Sequence, residues 1–425
     1  MTHSDYTRNI LNIKDENIYF LKNCLESKKI KGIETKIFYG ILTYKPDFCP
    51  CCGVINQSHN DIIKWGFKHN CKVKIPKLSN YNALLILSKQ RFLCKHCRET
   101  FTCESSLVNK YCNISNNSSL SIKIDLMTKS SEKDIAKRHN VSVSKVDEIL
   151  SDISSDSILT HEHLPSEMNF DEFKATKDTK SKMAFIITDN SNHSIFDILD
   201  SRYSSDLEKY FKRYSKKQRD NVKLISIDMY KPYVVLSRNL FKNACIVIDR
   251  FHIVLQAYNA LNITRVKYMK EDKKNYNKLK YFWRLILKNE KDLSHEKFFS
   301  KHFNKYISPF DVVQYLINLD ATLKATYECY QGLINSINNK DFNKFVNIIS
   351  HCSKNISVHM KKAIKTYNKF LPYIKNSFIY DINNGVIEGT NNLIKCIKRI
   401  AFGYRKFKHF RARILLIKGI ISYEM

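Results

Sequence analysis

The stretch that most constrains this chain is Leu224 to Tyr233, LISIDMYKPY. A short apolar run ends in one carboxylate, Asp228, and Pro232 follows four positions later. An apolar run of that length, bounded by turn chemistry, reads as a buried strand. Pro232 suits the first turn of a following helix, where its missing N–H needs no partner. Asp228 is therefore expected at the C-terminal edge of a central strand, where open α/β sheets place their ligands. A helix N-cap or a surface turn is the plainer reading of one isolated Asp. Two further carboxylates in similar settings weigh against it.

The first is Asp171. MNFDEF, which carries it, and KMAFIIT and SIFDIL read as three strands of a meander. DLEKYFKRYSK is a helix with Leu207, Tyr210, Phe211 and Tyr214 on one face. LISID, a helix over Tyr233, Leu236 and Leu240, and the strand ACIVID ending at Asp249 complete the run. Three strands, a helix, a strand, a helix and a strand is the order of an RNase H-like core. That layout puts Asp171 and Asp228 on adjacent central strands although 57 positions separate them.

The second is Glu388. A helix from about Val386 sets Glu388, Asn391, Asn392, Lys395 and Arg399 on one face, with Leu393, Ile394, Ile397 and Ile400 on the other. No Asp or Glu occurs between Gly389 and Tyr423, while nine Lys and Arg do, Arg405 and Lys406 among them. Such a segment tracks a phosphate backbone. The alternative is a solvated basic helix whose Glu388 complements the N-terminal dipole. Together Asp171, Asp228 and Glu388 form the constellation phosphodiester chemistry needs, hard oxygen ligands for two Mg²⁺ or Mn²⁺ ions about 3.5–4 Å apart.

At 425 residues the chain has room for about three domains. Its net charge is +30 and its pI about 9.5, a surplus that calls for a polyanionic partner. Nucleic acid comes first and an anionic membrane surface second. The opening MTHSDYTRNI lacks the apolar core of a signal peptide, and no apolar run approaches the ~20 residues of a membrane span. A cytoplasmic, nucleoid-associated protein is expected. The 13 cysteines then point to metal ligation or packing rather than disulfides. No glycine lies between Gly66 and Gly332, and no G-x-G-x-x-G or Walker loop exists. A Rossmann cofactor and P-loop ATP are thereby excluded, so any chemistry comes from side chains and metal.

The cysteines cluster early. CPCCG pairs Cys49 with Cys52, and RFLCKHC pairs Cys94 with Cys97. Two C-x-x-C knuckles aim four sulfurs at one Zn²⁺. Strand-like NIYF and TKIFYGILTY precede them, and IIKWGF, CKVKIP and ALLILS fill the interval. Cys51, Cys71, Cys103 and His96 read as bystanders, with Cys51 the alternative register; two accidental pairs of packing cysteines are the plain reading. Next comes SSLSIKIDLMTK, a first helix, followed by SEKDIAKRHN with Ser130 or Ser131 as cap and VSVSKVDEILSDI with Ser142 or Ser144 as cap. The last two match a helix-turn-helix, with Ser142, Ser144 and Lys145 facing DNA. An ordinary three-helix module fits the same pattern, and the turn lacks the usual glycine. A Ser-rich linker follows. Residues 256 to 378 read as helical, with Gly332, Pro309 and Pro372 as breakers; Trp283, Tyr281 and Tyr327 there suit a core better than base stacking.

CPCCG, RFLCKHC, SEKDIAKRHNVSVSKV, FDEFK, IDMYKPY, IDRFHI, FWRLILKN and IEGTNNLIKCIKRIAFGYRKFKHFRARILL together resemble the ISL-three family of DDE transposases. The resemblance runs nearly end to end. It implies Asp171, Asp228 and Glu388 as a catalytic triad, Cys49, Cys52, Cys94 and Cys97 as zinc ligands, and Asp249 and His252 as a D-x-F-H signature supporting the site. The expected architecture is multidomain α/β. It comprises an N-terminal region with zinc ribbon (1–112), a helix-turn-helix (113–160), an RNase H-like core (165–255), an all-α insertion (256–378) and a C-terminal helical part of the core (379–425). The expected function is recognition of terminal inverted repeats, cleavage at element ends and transfer of the 3′-hydroxyls to target DNA, by a homodimer. A catalytically silent DNA-binding regulator or transposase remnant is the main rival, and a structure-selective nuclease the other.

Overall fold

Packing divides the chain into two units, Met1–Ile158 with Ile394–Met425, and Leu159–Leu393. The computed structural model describes residues 2–57, 60–156, 159, 161–381 and 385–424.

The first unit opens with helix α1 (His3–Ile10), held by a capping box between Thr2 and Asp5. Strands β1 (Ile18–Ile30), β2 (Ile33–Leu42), β3 (Ile62–Leu78) and β4 (Tyr81–Cys94) form a sheet ordered β1-β2-β4-β3, with β5 (Thr100–Thr102) on β4. IIKWGF and CKVKIP, which read as separate pieces, are one strand. Register shifts between Lys64 and Phe67 and between Lys68 and Cys71 carry it past Gly66, whose φ is +74°. Leu85, Leu87 and Phe92 of β4 join Ile18, Phe20, Phe38 and Leu42 in one buried cluster.

Helices α2 (Asn116–Asp125), α3 (Glu132–Arg138) and α4 (Val143–Asp156) follow. Ser131 Oγ accepts the Asp134 N–H to start α3, and Ser142 Oγ accepts the Lys145 N–H to start α4. The glycine missing from the α3–α4 turn is replaced by Asn140, at φ +52°. Asparagine tolerates that left-handed geometry better than most residues.

The second unit holds β6 (Glu167–Lys174), β7 (Met183–Asp189), β8 (Ser194–Leu199), α5 (Ser204–Phe211), α6 (Lys216–Asp220), β9 (Leu224–Ile227), α7 (Lys231–Leu240) and β10 (Cys245–Ile248). The sheet runs β10-β9-β6-β7-β8. The meander pairs are antiparallel, while β6, β9 and β10 are mutually parallel. This mixed sheet fits an RNase H-like core. All four β9 residues are buried, and proline lies in the first turn of α7.

A helical block continues with α8 (Arg250–Glu271), α9 (Tyr276–Tyr281), α10 (Trp283–Leu287), α11 (Pro309–Ile317), α12 (Ala321–Asn338), α13 (Phe342–Ser350) and α14 (Val358–Ile379). It is not purely helical, because β11 (Phe298–Ser300) and β12 (Lys305–Ile307) form a hairpin between α10 and α11. Two expected breakers also lie inside helices. Gly332 sits in α12, where a Cβ would meet Ile348 Cδ1 at 3.0 Å, so the residue serves close approach of α13. Pro372 sits inside α14, where burial of Phe370 and Ile374 offsets the ~3 kcal/mol that an interior proline costs.

Helix α15 (Gly385–Ile400) follows. The basic C-terminal segment then breaks at Phe402 and Gly403, with φ of +54° and +98°, and resumes as α16 (Phe407–Ile417). Ala412 and Leu416 of α16 pack against Ile122, Leu126, Val146 and Leu150. Buried Arg413 donates to the carbonyls of Leu126, Thr128 and Ser130. Residues 394–425 thus group with the N-terminal helices, whereas the sequence reading joined all of 379–425 to the catalytic core.

Arg413→Ala strips three carbonyls around the α2–α3 junction of their donor. A loss of about 2–4 kcal/mol is expected. Hydrogen exchange in α2 to α4 should accelerate while amides of β6 to β10 keep their protection; equal protection of α2 to α4 in both proteins would contradict this.

Candidate functional site

Strand register brings the carboxylates together. Asn169 pairs with Ser226 between β6 and β9, and Ile227 with Ile248 between β9 and β10. Carrying both registers forward sets Asp171, inside β6, level with Asp228 and Asp249, which directly follow β9 and β10. A parallel sheet exposes that edge because its crossover helices cover the faces.

The row is tied down from two sides. Asp249 caps α8 by accepting the Phe251 N–H at 2.7 Å, which places His252 in the first turn. His252 Nε2 lies 2.6 Å from Asp228 Oδ1 and 3.7 Å from Asp249 Oδ2. Ligand atoms of Asp171, Asp228 and His252 all fall within 4.8 Å of one another. Asp171 Oδ1 accepts the Glu172 N–H at 2.7 Å, and its Oδ2 accepts Asn391 Nδ2 at 2.6 Å. The other end of that amide, Asn391 Oδ1, is buried without a hydrogen-bond partner.

Charges here are unbalanced. Burial, followed by the facing Asp228 carboxylate, pushes Asp171 up to about 6, against the pull of the Glu172 N–H, His252 and Asn391. Burial alone would lower His252, but its bond to Asp228 and the charges of Asp228, Asp249 and Asp171 outweigh that and raise it. Two carboxylates that repel, beside an orphaned amide oxygen, fit a hard divalent cation. Glu172, next in sequence, projects to the opposite face of β6, where Tyr233 Oη and Arg202 hold its carboxylate.

Glu388 lies outside this group. It is exposed on α15, one turn before Asn391 and on the same side of the helix. The E-G-T-N spacing of residues 388 to 391 is the sequence signal that puts Asn391 on the Glu388 face. Arg250 anchors the chain leading to α15 through Ser377 O at 2.6 Å, Tyr380 O at 2.9 Å and Asp381 Oδ1 at 3.1 Å.

In the first unit, the sulfurs of Cys49, Cys52, Cys94 and Cys97 lie within 4.8 Å of one another. The Cys49–Cys97 and Cys52–Cys94 distances are both 3.8 Å. A tetrahedron with Zn–S bonds of about 2.3 Å has edges of about that length, far beyond a disulfide. Both knuckles close alike. The Gly53 N–H bonds Cys49 O and the Arg98 N–H bonds Cys94 O, each at 2.9 Å, and both residues take positive φ. Burial raises the Cys49 thiol, but N–H bonds from Cys52 and Cys51 and the neighbouring thiols hold it at about 7. Cys97 gains from the Glu99 N–H, yet burial and the surrounding thiols push it up to about 12. Four thiols cannot all ionise together without a cation to share.

The expected DNA contacts are placed on both helical segments of this unit. Ser142 and Ser144 are exposed at the start of α4, and Lys145 pairs with Glu148 at 2.7 Å. Lys395, Arg399, Arg405 and Lys406 are exposed, and Lys406 reaches Asp147 at 3.7 Å. Among the described residues, no helix is long and apolar enough to cross a membrane.

Metal analysis of the purified chain should find about one zinc per molecule. Cys52→Ser should release it and Cys51→Ser should keep it; the reverse would move the ligand register. At the carboxylate row, a raised pKa means that the proton is bound below about 6. Mn²⁺ affinity should hold above that pH and fall about tenfold per unit beneath it, as the ion competes with one proton. Calorimetric titration checks this, and a flat pH profile would contradict it.

A family model described as transposase, the ISL-three type of DDE enzyme, matches residues 168–414. A curated relative from Lactococcus lactis subsp. lactis, named ATP-dependent protease, is 30% identical over 126 residues. That match covers 29% of this chain and 39% of the relative. The family match spans the parallel-strand edge, α8 with its histidine, the helical block and α15. On that extent of agreement, the chain belongs to the ISL-three family of DDE transposases, a family of catalytic, DNA-binding enzymes.

Proposed function

We propose that this transposase cuts DNA at the ends of its element and joins the freed 3′-hydroxyls to target DNA. The carrying observation is the register that aligns Asp171 with Asp228 at the end of the sheet. Asp171 and Asp228 hold the divalent ions, and Glu388 completes the set when DNA is bound. Support for Glu388 comes from Asn391, one turn further along the same helix, which already bonds Asp171. Bound divalent ions supply Lewis acidity that activates the attacking water or 3′-hydroxyl and stabilises the leaving oxygen. The protein's own residues fix the geometry. His252 orients the Asp228 carboxylate, Asp249 holds the start of α8, and Asn391 orients Asp171.

The four-cysteine unit and the α3–α4 pair recognise the terminal repeats, with Ser142, Ser144 and Lys145 toward the major groove. Lys395, Arg399, Arg405 and Lys406 take phosphates. Synapsis of two ends requires two active sites, so a homodimer is the working assembly. A silent DNA-binding protein has no need of an aligned, cation-demanding carboxylate row. The sequence carries no Walker loop, which leaves ATP-driven proteolysis unsupported for this chain.

Asp228→Asn and Glu388→Gln should each lower end cleavage at least about 10³-fold, a loss of several kcal/mol of charge stabilisation. Gel-shift affinity for the terminal repeat should stay within about twofold in both, measured without metal. Cleavage that survives Asp228→Asn would reject the assignment. An assay with pre-cleaved ends separates a transposase, which joins them, from a nuclease, which does not.

A further inference from the structure

The hairpin of β11 and β12 is the one strand pair in the helical block among the described residues. A two-stranded hairpin is marginal in water unless something holds one of its faces. Its inner face supplies that support. Ile307 and Ser300 are buried, and Phe303 in the turn packs against Phe282 at 5.8 Å and Tyr315 at 5.1 Å between ring centroids.

The outer face is different. Phe299 and Tyr306 pair directly across the strands, with rings 5.5 Å apart, and are 52% and 70% exposed. At the turn, the Tyr281 ring stands 4.4 Å from His302 and is 66% exposed. Large aromatics so exposed on a rigid support leave apolar ring surface unburied in the free protein. Lys297 just before β11, Lys301 in the turn and Lys305 at the start of β12 add cations, and no Asp or Glu occurs from Lys297 to Phe310. Exposed rings interleaved with cations, free of acids, are the combination that binds unpaired nucleotides. The rings stack on base faces, and the ammonium groups donate to phosphate oxygens. Tyr327, by contrast, is 2% exposed and belongs to the core.

We propose that this hairpin is a stacking platform for unpaired DNA bases, built from Phe299 and Tyr306 with Tyr281 at its turn. The choice of DNA as partner rests on the transposase reading, but the platform binds whether or not the carboxylate row cuts. The test therefore omits divalent ions.

Full-length protein is titrated against a blunt duplex and against the same duplex with a short unpaired thymidine tail. The tail should tighten binding of the parent protein. Phe299→Ala/Tyr306→Ala should lose about tenfold or more of that increment per stacked base, with blunt-duplex affinity changed less than about twofold. Tyr306→Phe, which keeps the ring, should retain the increment. Lys301→Gln/Lys305→Gln should flatten the salt dependence of tail binding by about 1.4 in log–log slope. The proposal is overturned if the tail adds nothing to the parent, if the alanine variant keeps the increment, if Tyr306→Phe loses it, or if the lysine variant keeps the slope. It is equally overturned if the alanine variant loses binding to phosphatidylserine vesicles while tail binding is untouched, which would assign the hairpin to a lipid surface.

Discussion

The parallel register of β6, β9 and β10, which sets aspartates side by side, is the constraint on which the candidate site of the second unit depends. It aligns Asp171, Asp228 and Asp249 in one row. The surrounding residues hold that row in place. Asp249 is satisfied by the α8 N-terminus, where the helix dipole favours a negative charge. His252 lies between Asp228 and Asp249 as a counter-charge. Asp171 keeps a burial and repulsion cost, which the Glu172 N–H and the Asn391 amide on α15 oppose. On the proposed reading that residual cost is what a divalent ion relieves.

Much of this arrangement was legible in the sequence because it rests on local signals. The apolar run before Asp228 and Pro232 four positions later mark one strand end and one helix start. The meander before it shows as short runs rich in apolar and β-branched residues. The paired C-x-x-C knuckles converge as their spacing requires, down to the 3.8 Å sulfur separations. The short helices α3 and α4 were readable from their serine caps despite the absent glycine, since Asn140 takes the left-handed position between them.

What escaped the sequence reading depends on long-range packing. Nothing near Arg413 announces that its guanidinium bonds three carbonyls nearly 300 positions earlier. That contact, with Ala412 and Leu416, draws the C-terminal segment to the N-terminal helices. Gly332 and Pro372 were read as breakers from propensity, and tertiary burial outweighed propensity at both. The hairpin at Phe298 to Ile307 hides in a helical neighbourhood because its strands are only three residues each. Asn391 was visible on the right face, but its partner Asp171 is 220 positions away.

The central claim is that the aligned carboxylates form a divalent-cation site completed by Glu388. Anomalous scattering from crystals of the protein–DNA complex soaked in Mn²⁺ tests it most directly. Two peaks about 3.5–4 Å apart, one bridging Asp171 and Asp228 and the other reached by Glu388, are predicted. A single peak confined to Asp249 and His252, or none near Asp171, would contradict it.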